Sequence, residues 1–269
     1  MIFKNAISVT LRKAGLIKTF DKLRFYMLYI KSLKEKRAFK KAYPDAILPP
    51  PYFIYETFGL NYEQFYTLSE ETAKWLISFF EKYCPLNNAH ILDWGCGPGR
   101  IIRHLPALLD KSNRCYGTDY NDKYVRWCTE NIPEVTFRQN NLTPPLPFED
   151  NSFNVIYGIS IFTHLSEKMH YAWFDELIRV LKTGGILVLT FHGKAFKSKL
   201  TEAQKMIFDV GQLVVLSNTK EGHRTYGAYH PPAFINHLAG KNKVIEFVEG
   251  GFINGKPQQD VYIFQKTYL

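Results

Sequence analysis

The chain has 269 residues, 46% hydrophobic and 16% aromatic, which suits one large domain or one domain with sizeable additions. No apolar run approaches the roughly 18–20 residues of a bilayer span, and the longest near the start, residues 25–30, is too short for a signal-peptide core. The net charge of +9 is local: residues 1–41 hold twelve Lys/Arg against Asp21 and Glu35, the remainder sums to −1, and a basic nucleic-acid groove in the body is therefore not indicated.

Residues 1–43 read as a basic helical arm. Leu16, Phe20, Leu23, Met27 and Ile30 recur at spacings of 4, 3, 4 and 3, one apolar stripe on a helix, with Lys18, Lys22 and Lys31 off it. Such a stripe suits packing on the body or a dimer contact, attraction to an anionic membrane surface, or contact with nucleic acid. The prolines of "LPPPYF" (48–53) stop the helix and predict an extended linker. A further helix is expected over 68–83, with Ser69 as its cap.

From His90 onward, short apolar strands alternate with helices. Strands are predicted over 89–94, 114–119, 134–139, 152–160 and 184–193. The helices between them are predicted over 99–109, 121–131 and 167–181. Residues 184–193 are apolar enough to be buried on both faces. The alternation means an α/β, Rossmann-like, doubly wound sheet, mostly parallel. Residues 194–208 read as helical and 209–232 as ambiguous. Residues 243–250 and 260–266 read as an antiparallel C-terminal edge pair. The four cysteines, Cys84, Cys96, Cys115 and Cys128, have no zinc or C-x-x-C spacing and read as buried free thiols in a reducing, cytoplasmic setting.

The chemistry gathers at "ILDWGCGPGR" (91–100). Gly95, Gly97 and Gly99 follow a strand and open a helix, which places backbone N–H groups against a ligand at the carboxyl edge of the sheet. A P-loop requires Lys-Ser/Thr after its last glycine, and here Arg100-Ile101 follows. A dinucleotide fingerprint requires G-x-G-x-x-G, and here the spacing is G-x-G-x-G. Asp93, two residues before the first glycine, repels a pyrophosphate and welcomes an amino group. Asp119, ending the second strand, can accept ribose hydroxyls.

These segments resemble a class I S-adenosylmethionine-dependent methyltransferase. "ILDWGCGPGR" resembles its first motif and "YGTDYN" its ribose-binding strand end. "LPFEDNSFNVIYGISIFTHLSE" and "LIRVLKTGGILVLTFHG" resemble the regions around its fourth and fifth strands. The flanking segments look like a bacterial methyltransferase type 11/25-like subgroup. The resemblance implies S-adenosylmethionine as cofactor, held by Asp93 at its amino group and by Gly95, Cys96, Gly97 and Gly99 around its methionine end. It implies Asp119 on the ribose, Tyr120 against adenine, and Asn140, Asn141 or Leu142 near the adenine amino group. Ile159 and Ser160 would line the methyl site. Asn154 and Thr183 stand where the family often has aspartate and proline.

An alcohol acceptor needs a proton acceptor, and His164, His192 and His230 are the candidates. No metal site is expected. The expected organisation is an extension and linker over 1–84 and a methyltransferase domain over 85–269, with acceptor specificity carried by about 194–242. The expected reaction is methylation of a small molecule, a hydroxyl of a sugar or glycan-linked metabolite. The alternatives are a lipid or quinone-type acceptor approached by a peripheral membrane protein, and a non-catalytic S-adenosylmethionine sensor or scaffold. Nucleic acid is not the expected substrate.

Overall fold

The computed structural model describes residues 17–216, 220–223 and 225–267. They fall into two compact units, residues 1–71 and 72–269. Leu16 and the basic residues before it lie outside the described residues. Among the described residues no helix is long and apolar enough to cross a membrane.

The first unit contains α1 (Ile17–Ala42), α2 (Pro51–Phe58) and the start of α3 (Tyr62–Tyr83). Its small core is built from Phe39, Ile54, Tyr55, Leu60, Tyr62 and Phe65, with Phe25, Leu28 and Tyr29 packed against it. Tyr55 also donates its hydroxyl to the Asp21 carboxylate at 2.7 Å, tying α2 to α1. Two sequence expectations change here. Pro49 and Pro50 remain non-helical ahead of α2, and Pro51 opens it, so the linker expected over 48–53 ends at Pro50; in the first turn the missing N–H of Pro51 costs nothing. Ser69 does not cap a helix, since α3 starts at Tyr62. Its buried hydroxyl bonds back to the Phe65 and Tyr66 carbonyls.

The second unit is a seven-stranded sheet in the order β3-β2-β1-β4-β5-β11-β8. The strands are β1 (His90–Trp94), β2 (Arg114–Asp119), β3 (Val135–Gln139), β4 (Phe153–Gly158), β5 (Leu181–Phe191), β8 (Lys243–Val248) and β11 (Asp260–Gln265). β11 alone runs against its neighbours, pairing antiparallel with both β5 and β8, so the expected antiparallel C-terminal pair is present. The chain between them, expected as a turn, is the small hairpin β9 (Phe252–Ile253) and β10 (Lys256–Pro257).

Alternation along the strands feeds two cores. Ile186 and Val188 of β5, with Val155, Tyr157, Val261 and Ile263, face one layer. The residues from Ala73 to Phe80 in α3 and Cys128 of α5 (Asp122–Asn131) pack on that layer. Leu187, Leu189 and Phe191, with Ile156, Tyr262 and Phe264, face the other, covered by α6 (Glu167–Val180) and α8 (Pro232–Ala239). The α3 residues from Ala73 onward thus belong to the second core. Asn154 takes over a strand-tying role, accepting from the His90 N–H at 3.0 Å and the Lys182 ammonium at 2.9 Å.

The helix expected over 99–109 is shorter than expected: a 3₁₀ turn, Ile102–His104, runs directly into one α-helical turn, α4 (Leu105–Leu108), with Pro106 in that turn. Residues 194–208, read as helical, form a 3₁₀ turn at Lys194–Lys199 and α7 (Glu202–Asp209) with the Thr201/Gln204 capping box, and the ambiguous 209–232 contributes the antiparallel pair β6 (Val214–Leu216) and β7 (Gly227–Tyr229).

Leu187→Ala, in the buried centre of β5, is expected to lower stability by about 2–5 kcal/mol in urea unfolding. Ile253→Ala, at a position 61% exposed on the small hairpin, is expected to change it by less than about 0.5 kcal/mol.

Candidate cofactor and catalytic site

Strand order reverses between β1 and β4, and the loops that leave these two strands meet there. The β1 loop turns at once. Gly95, Gly97 and Gly99 have φ of 76°, 54° and 67°, a region that favours glycine. A Cβ on Gly95 would lie 2.3 Å from Ile161 Cδ1, so the loop from β4 packs directly on the glycine backbone. The N–H groups of Gly95 and Cys96 both donate to the Thr118 carbonyl, at 2.8 and 2.9 Å.

Asp119 holds this arrangement from the end of β2. One carboxylate oxygen accepts from Gly97 N–H at 2.9 Å and the other from Asn121 N–H at 2.8 Å. The hold on Gly97 could not be read from the sequence, because it depends on the register that sets β1 beside β2.

Asp93 is almost fully buried, in register with Gly117 of β2 and Tyr157 of β4. Burial pushes its carboxyl up to about 7, and the Asp119 charge adds to the rise. The Tyr157 hydroxyl and the Arg100 guanidinium act in the opposite direction. The hydrogen bond with the Cys128 thiol, and then burial, raise the Cys96 thiol, and Cys96 contributes to the loop through its backbone.

The cavity beside the loop encloses about 440 Å³, including its open mouth. Trp94, Ile161, Leu165 and Trp173 form an apolar wall that the sequence reading missed. Of the residues it did name, Gly95, Asp119, Tyr120, Asn140, Asn141, Leu142 and His164 line the cavity. Tyr120 donates its hydroxyl to the Gly222 carbonyl at 3.2 Å, bringing the loop before β7 over the opening. The Asn140 side-chain oxygen is buried and accepts no hydrogen bond among the described residues, although its amide nitrogen donates to the Asn141 carbonyl. Ile159 and Ser160 are not at this wall. Ile159 packs into the core below, and Ser160 is held with φ of 63° by its N–H on Thr190 and its hydroxyl on Gln259. Ile161, two residues beyond Ile159, lines the cavity instead.

The three histidines separate. His164 lies at the cavity, and its Nδ1 donates to the Tyr226 carbonyl at 2.9 Å, which leaves Nε2 as the accepting nitrogen. His192 donates from Nδ1 to the Ala228 carbonyl at 3.1 Å and stacks on Phe196 with ring centres 4.0 Å apart. Burial drives it down to about 3, with the neighbouring His164 contributing, so it is a weak base. His230 is in the core and not at the cavity. His170 donates from Nδ1 to the Ser166 carbonyl at 2.8 Å, and its Nε2 therefore accepts from His230 Nε2, also at 2.8 Å. Burial holds both rings neutral, with His170 down to about 4 and His230 well below its usual value. No local spacing signals this pairing, since the two residues are sixty positions apart.

A family profile described as "Methyltransferase domain" matches residues 91–185, from β1 into β5. These residues are a class I methyltransferase domain. A 2-methyl-6-phytyl-1,4-hydroquinone methyltransferase of Synechocystis is 35% identical over 37% of this chain and 30% of its own. The ubiquinone/menaquinone biosynthesis C-methyltransferase UbiE of Wigglesworthia glossinidia brevipalpis is 27% identical over 64% and 72%. A tRNA (carboxymethyluridine(34)-5-O)-methyltransferase of Arabidopsis thaliana is 27% identical over 45% and 28%. The chain thus spans under a third of the Synechocystis and Arabidopsis relatives. A solved methyltransferase of Methanosarcina mazei shares the fold, with a TM-score of 0.56, 21% identity, and coverage of 71% of this chain and 98% of that one. The methyltransferase domain fits the cofactor chemistry of its class. The loop is glycine-lined, Asp119 holds it from the end of β2, and the buried Asn140 side-chain oxygen accepts no hydrogen bond among the described residues.

The folded-state value of Asp93 lies above that of an unfolded aspartate. The native protein therefore binds the extra proton between about pH 4 and 7, and stability falls as pH rises through that window. Asp93→Asn removes the charging cost. Its ligand-free thermal stability is expected to match the parent near pH 4 and to exceed it above pH 7 by on the order of 3 kcal/mol. A difference independent of pH in the melting curves would contradict the assignment.

Proposed function

We propose that the chain is an S-adenosylmethionine-dependent methyltransferase acting on a small-molecule acceptor. The observation that carries this reading is the glycine loop held by Asp119 beside a cavity with an unpaired Asn140 oxygen. The cofactor supplies a methyl group already activated on a sulfonium. The protein's part is then alignment and exclusion of water. In this reading Asp93 meets the cofactor amino group, the Gly95–Gly99 backbone lies along its methionine end, and Asp119 accepts from the ribose. Tyr120 and Leu142 flank the adenine, and Asn140 accepts from its amino group. Trp94, Ile161, Leu165 and Trp173 keep the cavity dry.

For the acceptor, the apolar, aromatic wall supports a hydrophobic ring compound of lipid or quinone type over the sugar hydroxyl expected from sequence. The hydroquinone and quinone methyltransferases among the relatives support the same choice. Where the acceptor carries a proton, His164 is the group to take it, because of the three candidate histidines it is the one that lines the cavity. Segment 194–242 contributes the loop around Gly222, the Tyr226 carbonyl that His164 meets just before β7, and the Ala228 carbonyl of β7 that His192 meets.

In calorimetric titration with S-adenosylmethionine, Asp119→Ala is expected to weaken binding by roughly 1–3 kcal/mol, and Asp119→Asn by less. Unchanged affinity in Asp119→Ala, or tight binding of NAD in place of S-adenosylmethionine, contradicts the cofactor reading. With a hydroxylated quinone analogue as acceptor, His164→Gln is expected to lower kcat by about 10²–10⁴ and to leave the cofactor Kd within about twofold. Loss of cofactor binding in that variant would assign His164 a structural role.

A further inference from the structure

Helix α1 has two apolar stripes, and only one of them is packed. Phe25, Leu28, Tyr29 and Phe39 turn into the core of the first unit. The stripe read from the sequence faces elsewhere: Phe20, Leu23, Met27 and Ile30 are 49%, 55%, 59% and 68% exposed. Helical spacing places Lys34, Arg37 and Lys41 on the continuation of that same face, with Arg24 and Lys31 along its margin, and all five are exposed. Among residues 17–42, nine Lys/Arg stand against two acids. Four large apolar side chains in one exposed row mark a contact surface, since monomer surfaces seldom concentrate them in this way.

We propose that this face docks the chain on an anionic lipid bilayer. Three occupants could cover it, and charge and apolarity together select among them. A second copy of the chain would bring two helices of like charge, each +7, against one another. A nucleic acid would satisfy the lysines and arginines but would provide no apolar medium for Leu23, Met27 and Ile30. An anionic membrane surface satisfies both groups. The aliphatic and aromatic side chains enter the acyl boundary, and the cations remain at the headgroups, where each basic residue adds to the attraction. At 26 residues α1 is about 39 Å long, and with its charge it lies along the surface instead of crossing it. This inference stands on the first unit alone and does not depend on the acceptor.

The test is flotation of the full-length protein with phosphatidylcholine vesicles, with and without phosphatidylglycerol. The parent protein is expected to float with the anionic vesicles, about tenfold less with neutral ones, and progressively less as salt rises. Two triple variants separate the forces: Leu23→Ser/Met27→Ser/Ile30→Ser and Lys34→Glu/Arg37→Glu/Lys41→Glu. Each is expected to float at least about tenfold less while its melting temperature stays at the parent value. Flotation of the serine variant equal to the parent would reduce the effect to general charge attraction and overturn the proposal. So would a parent that stays with the soluble fraction, or a vesicle-free dimer in sedimentation velocity that the serine substitutions dissolve.

Discussion

The cofactor site depends on one carboxylate in one register. Asp119 stands at the end of β2 and accepts from the backbone of Gly97, in the loop that leaves β1. Parallel pairing brings these residues together, with Trp94 beside Thr118 and the Thr118 carbonyl drawing in Gly95 and Cys96. The loop is thereby held open by hydrogen bonds and not by a long helix behind it. Only a 3₁₀ turn and one turn of α4 follow. A site that dispenses with a helix end has little of the positive field that suits phosphate. It suits a ligand recognised through hydroxyl, amino and ring groups.

Asp93 supplies a different kind of pressure. It is buried between β2 and β4 with Tyr157 beside it and the Asp119 charge nearby. Its charged form is penalised by desolvation more than Tyr157 and Arg100 relieve it. A buried carboxyl poised near neutrality is a destabilising feature for a core, and such groups concentrate where a ligand relieves the penalty. The three glycines, the strained Ser160 and the raised Asp93 all lie at the point where the sheet reverses its order.

The histidines show how packing separates residues that look alike in sequence. His164 and His192 each donate to a carbonyl in residues 226–228, and the His230 N–H donates to the His192 carbonyl, so β7 is bound to the ends of β4 and β5 through imidazoles. His164 alone lines the cavity. His230 spends its ring on His170 under α6, where a proton would have no water to stabilise it. A similar division runs through α1. Its two apolar stripes are comparable in sequence, and the one with more aromatic residues is the one buried.

Local chemistry was legible from the sequence. The period-2 and period-3.6 patterns placed most of the second unit's strands and helices. The G-x-G-x-G spacing and Asp119 placed the loop, and Asn140, named after the third strand, has a buried side-chain oxygen with no hydrogen-bond partner among the described residues. These features depend on residues near one another in the chain, where spacing alone sets geometry. The tertiary structure decided the rest: that Ile161 and not Ile159 touches the glycines, that Trp94 and Trp173 wall the cavity, that His230 is consumed by His170, and which stripe of α1 is buried. Each of these depends on partners brought together from distant positions, and on competition for burial that the folded sheet and helices resolve.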